Sequence, residues 1–351
     1  MIEKILKQFE QEFLLLNFKE LSSNENYPEV LFNLLFFLSC VSESEYKDCI
    51  KNQFSDTILK EIFLNKSRFR LSFYNGMAGI IFLLENSEFD SKYSDLLIRD
   101  FSKMINDNML VLLPFFKKEK KEYEFFGGML GIIYYYFQRK VQKNFKEIYI
   151  IEKSLNKLLG FIRDEVNSEN FDISLVHGTI SFLKIFYNCS ERNMESDELY
   201  RNMFDIYLKL LIDKEKLENI FGGRMGWCKS RASTLLLLQL VSVENKETSC
   251  YFYNELMSIF ESSSSDWKFE DSYLCHGYAG MSVMMSTLNY KGDNRVFVRE
   301  KLFEELYRSK DLIGDIIESP NVIENRLGVI LALINDYSQR IYILNKFMLM
   351  M

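Results

Sequence analysis

Proline is almost missing from this sequence: Pro28, Pro114 and Pro320 are the only three in 351 residues. Helix breakers that rare leave long helices free to run, so an all-α fold is expected. No apolar run reaches the roughly 18 residues that a membrane span requires. Acidic residues also interrupt Met1–Glu10, where a secretion signal would carry its apolar core. These two absences predict a cytoplasmic protein with no transmembrane segment. An excess of positive charge is lacking as well, and the formal net charge of -7 argues against a nucleic-acid surface while permitting attraction to cationic peptides. The six cysteines (Cys40, Cys49, Cys189, Cys228, Cys250, Cys275) come without a secretory context and are expected to be reduced thiols or metal ligands. Histidine is scarcer still, with His177 and His276 alone.

What is present in quantity is apolar sequence, 48% of the chain against 26% charged, which is ample for a large core. It is organised as a repeat. Aligning the small residue that opens each apolar segment gives Gly76, Gly128, Gly178, Ser230, Gly277 and Asn325, spaced by 52, 50, 52, 47 and 48 residues. A near-constant period of this size marks a repeat architecture. The segment Tyr27–Leu38 lies one step upstream without the glycines and makes seven units. Each unit reads as a strongly apolar helix followed by an amphipathic one, hence inner and outer helices. One domain over residues 1–351 is expected. Periodicity does not decide between an open solenoid and a closed α/α toroid.

The register sorts the chemistry into columns. Two positions before the opening residue stand Tyr74, Phe126, Val176, Cys228, Cys275 and Ile323, and one position before stand Asn75, Gly127, His177, Lys229, His276 and Glu324. Cys228 and Cys275 therefore occupy equivalent places in adjacent units, and His276 adjoins the second. Two cysteines and one histidine read as a zinc site with an open fourth position, the pattern of catalytic rather than structural zinc. The other four cysteines fall outside these slots and read as ordinary thiols.

Gly226-Trp-Cys-Lys229, Leu274-Cys-His-Gly-Tyr-Ala-Gly280, Leu175-Val-His-Gly178 and the Gly-x-x-Gly helix starts together resemble the lanthionine synthetase C-like (LanC) family, over roughly residues 70 to 331. The resemblance implies an α/α toroid of seven inner and seven outer helices, and zinc held by Cys228, Cys275 and His276. It also implies active-site roles for His177, Glu124 and Arg224. Taken alone, Glu124 reads as a solvated helix-end carboxylate and Arg224 as a loop cation. Two departures stand out: Glu124 replaces the family's usual aspartate, and Lys229-Ser230 replaces its usual Tyr-Gly.

The implied activity is closure of lanthionine or methyllanthionine thioether rings, in which a cysteine of a dehydrated precursor peptide adds to dehydroalanine or dehydrobutyrine. His177 is the first choice for acid-base work, Glu124 orients it or receives the thiol proton, and Arg224 with the helix N-termini stabilises negative charge. Implied partners are a dehydratase and an ABC transporter, which would bring the chain to the inner membrane face. Addition of glutathione or another small thiol, prenyl transfer and a non-catalytic peptide-binding scaffold are the rival readings. No diphosphate-binding set supports the second of these.

Overall fold

The computed structural model describes residues 1–44, 46–47, 53–87, 89–117, 119–139, 142–166, 174–176, 178–187, 194–212, 220–222, 224–242, 245–269, 271–308, 311–319, 321–337 and 341–349. Two kinds of helix alternate along them. Tyr27–Ser42, Met77–Asn86, Met129–Gln138, Ile180–Tyr187, Arg231–Val241, Tyr278–Thr287 and Arg326–Tyr337 bury nearly every side chain, as residues 77–84 do without a gap. Ile2–Leu14, Gln53–Leu64, Lys92–Leu112, Phe145–Val166, Met194–Ile212, Lys246–Glu261 and Asp293–Arg308 bury one face only. In Lys92–Leu112 that face is Leu97, Phe101, Ile105 and Met109, each four residues from the last. Seven inner helices thus stand inside seven outer ones. Among the described residues there is no strand, only the isolated bridges Arg70 to Gly76 and Arg224 to Lys268.

The ring closes. The first inner helix packs on the second and the second on the third; the sixth packs on the seventh, and the seventh returns to the first. An array that meets its own beginning is a toroid, which settles what periodicity left open. Outer and inner layers are also pinned by charge, since the buried Asp336 of the seventh inner helix accepts from Arg295 Nε at 2.5 Å and from Arg299 Nε at 2.6 Å. Neither described proline interrupts a helix: Pro28 lies in the first turn of the first inner helix, and Pro114 follows the end of Lys92–Leu112. Pro320 lies outside the described residues.

The ring is not hollow throughout. After the seventh inner helix the chain turns back and runs the short helix Tyr342–Phe347 inside it. The Phe347 ring lies within 6.5 Å, centroid to centroid, of Phe32, Phe36, Phe73, Tyr74, Phe82 and Phe126, which belong to three different units. From other sides Tyr134 donates its hydroxyl to the Lys346 carbonyl at 2.8 Å, and Trp227 Nε1 donates to the Met348 carbonyl at 3.1 Å. Residues 342–349 are therefore an axial plug.

Candidate metal centre and cavity

The loops that enter the inner helices are laced together by backbone hydrogen bonds. Tyr74 N–H donates to Phe126 at 3.0 Å, Phe125 to Val176 at 3.2 Å, Leu175 to Cys228 at 2.9 Å, Cys228 to Cys275 at 3.2 Å and Cys275 to Ile323 at 2.9 Å. The sequence column two places before each opening residue is thus a physical belt around one end of the toroid. From Ile323 it returns to Tyr74 through side chains: the Tyr74 hydroxyl donates to Asn321 Oδ1, and Asn321 Nδ2 donates to Glu324 Oε2 at 2.8 Å. Burial pushes the Tyr74 hydroxyl well above the ordinary phenol range.

The belt brings the soft ligands together. The ligand atoms of Cys228, Cys275 and His276 all lie within 4.8 Å of one another, with Cys275 Sγ 3.3 Å from His276 Nε2. Gly226 makes that approach possible, because a Cβ there would stand 2.5 Å from both the Cys275 carbonyl oxygen and His276 Cα. The Cys275 thiol is pushed far up by its hydrogen bond with Cys228, then by burial, and further by the charges of Glu324 and Asp271. Two buried thiolates beside carboxylates are unstable without a cation, and two sulfurs with an imidazole nitrogen are the donors that a soft dication prefers. The residues present fit zinc.

Cys275 and His276 open onto a cavity of about 690 Å³, which Tyr74, Asn75, Glu124 and Phe126 also line. Glu124 comes to the same space from the third unit. Its carboxylate stands over Gly127, whose missing Cβ would otherwise lie 2.8 Å from Glu124 Oε1. Arg224 is exposed, its backbone bridged to Lys268, and it is not among the residues lining the cavity. His177 lies outside the described residues, next in sequence to Val176, which lines the cavity. Lys229 is half-buried and does not line the cavity. Ser230 takes over the opening position, its hydroxyl accepting from Ser233 N–H at 3.0 Å as a helix N-cap, so the departure from glycine keeps the register. Cys40 and Cys250 are free thiols away from this site, and Cys49 and Cys189 lie outside the described residues.

The family model for lanthionine synthetase C-like proteins matches residues 34–328. The chain belongs to that family. The match begins within the first inner helix, earlier than the glycine steps alone indicate, because that unit carries the helix without the motif. Among solved structures, nisin cyclase superposes with a TM-score of 0.68 at 17% identity, over 99% of this chain and 96% of that chain. At that identity the likeness is one of fold, and it bears out the α/α toroid. A search of curated protein sequences found no match. Sequence reasoning placed the three soft ligands in converging columns but missed the Tyr74 to Asn321 closure and the axial plug. Asn75 was visible only as a member of the histidine column.

Proposed function

We propose that the chain is a zinc-dependent peptide cyclase that forms lanthionine or methyllanthionine rings in a dehydrated precursor. The observation that carries this reading is the convergence of Cys228, Cys275 and His276 at a cavity that Glu124 shares. Held by those three residues, zinc would supply the charge that keeps a peptide thiol ionised at neutral pH, where a free thiol of pKa about 8.5 is mostly protonated. The new bond joins the cysteine sulfur to the β-carbon of the dehydro residue, and its π pair moves toward the carbonyl as an enolate. His177 then gives a proton to the α-carbon, while Glu124 orients it or takes the proton released by the thiol. The N-termini of the inner helices stabilise the developing negative charge, and Arg224, exposed and outside the cavity lining, takes no part in this step. Nothing leaves, so the product is an isomer of the substrate. The setting is cytoplasmic, beside a dehydratase and a transporter; among the described residues no helix is long and apolar enough to cross a membrane.

Purified protein is expected to contain about one zinc per chain, and Cys275→Ala to lose most of it. A synthetic peptide bearing one dehydroalanine and one downstream cysteine should keep its mass but lose alkylatable thiol with the wild type. It should stay alkylatable with Cys275→Ala or metal-stripped protein, above the slow background of spontaneous closure. Equal metal contents would sink the ligand assignment. A mass gain equal to added glutathione would support small-thiol addition instead.

A further inference from the structure

Three described non-glycine residues hold a left-handed backbone: Asn75 at φ 55°, Asn289 at φ 55° and Leu349 at φ 57°. Two of them have a structural reason. Asn289 and Leu349 follow the last turns of Tyr278–Thr287 and Tyr342–Phe347, where such a residue ends a helix by returning its N–H to an earlier carbonyl, Ser286 at 3.1 Å and Lys346 at 3.1 Å respectively. Asn75 does not end a helix. It stands two residues before one begins, and its turn is already closed by Met77 N–H donating to the Arg70 carbonyl at 2.8 Å.

The side chain has no structural reason either. Asn75 Oδ1 is buried and has no hydrogen-bond partner among the described residues, although an orphaned buried acceptor costs free energy. Asn75 lines the same cavity as Cys275, His276 and Glu124, and it occupies in its unit the register position that His276 occupies in the sixth. Strain and an unmet acceptor at one cavity-facing residue point to a ligand rather than to the fold.

We infer that Asn75 binds the substrate: its carboxamide receives a backbone N–H of the peptide segment carrying the dehydro residue and holds that segment in the cavity shared with Cys275 and His276. A primary carboxamide has one acceptor and one donor side, so it pairs with a peptide plane as another peptide plane would. The ligand class is therefore a backbone amide, which a free amino acid lacks. This rests on the cyclase reading above.

Asn75→Gly separates the role from the turn, because glycine takes φ 55° without strain and contributes no side chain. The variant should melt at or above the wild-type temperature and keep its zinc. The loss of one hydrogen bond to the peptide should raise KM for the dehydroalanine peptide about tenfold, with kcat little changed. Asn75→Asp, which keeps the acceptor, should recover most of that loss. A wild-type KM in Asn75→Gly would overturn the inference, as would a fall in melting temperature or zinc content that accounts for the lost activity. Fluorescence anisotropy with the labelled peptide keeps the two proposals distinct. If wild type binds the peptide and never cyclises it, the cyclase reading fails, while about tenfold weaker binding to Asn75→Gly would still support the contact. Equal binding by both would end it.

Discussion

Lys184 places an ammonium group in an inner helix built of apolar side chains, where it is 5% exposed and lies over the Tyr187 ring at 5.9 Å. Burial alone pushes its pKa down from 10.5 to about 8. Between those two values the unfolded chain holds more protons than the folded one, so stability rises with pH across that window and levels off above it. Below the window the folded protein carries the whole cost of burying the charge, up to about 3 kcal/mol. Lys184→Met should therefore be more stable than wild type at pH 7 and should lose most of the rise between pH 8 and 10; denaturant titrations at both ends check it. An unchanged pH slope would mean that Lys184 is not the group responsible. At this scale the sequence was most informative about grouping: Cys228, Cys275 and His276 were legible as a converging set because imidazole is scarce and the three fall in adjacent columns of the repeat. Asn75 was not, since neither its backbone angle nor its unmet acceptor leaves a mark on the letter that encodes it.

Between helices, the repeated glycine steps have a sharper cause than crowding of inner helices alone. A Cβ on Gly79 would lie 1.9 Å from the Phe73 carbonyl oxygen and 2.8 Å from the Phe32 ring; on Gly280 it would lie 2.2 Å from the Leu274 carbonyl oxygen and 3.0 Å from Trp227 Cβ. Each helix start is thus pressed against its own entry loop and against the unit before it. Ser181 and Ser233 fill the same position with the next smallest polar side chain. The pattern of small residues showed where helices begin, but the loop that crowds them lies six residues upstream and is invisible to a search for helical periods. Gly226 is where this packing touches the candidate metal site. Gly226→Ala must push the Trp227–Cys228 loop away from Cys275 and His276, since the obstructing atoms are backbone. Its zinc affinity should fall roughly 10- to 100-fold, as for loss of a supporting contact around a metal. Competition against a chelating dye measures this, and wild-type affinity would show that the loop can shift without moving Cys228.

Across the molecule, the seven-plus-seven layering was readable from the alternation of apolar and amphipathic segments, whereas closure was not, because periodicity is the same in a ring and in a solenoid. Residues 342–349 were missed for another reason: a single short apolar turn has no period to detect. Phe347 is fully buried among aromatic rings of three units, so Phe347→Ala should cost about 3–5 kcal/mol. If ring and plug form one cooperative body, calorimetry on both proteins should show a single transition, shifted down in the variant; two separated transitions would contradict this. The seals of the ring also set its assembly kinetics. Glu12 Oε2 accepts from Leu312 N–H at 2.8 Å across a sequence separation of 300, and Glu43 Oε2 accepts from Ile343 N–H at 2.8 Å across another separation of 300. Contacts that distant form late. Until they do, the apolar flanks of the earliest units face water with no neighbour to cover them. Refolding yield should then fall steeply with protein concentration, since the first helix to find an unpaired flank will often belong to another chain.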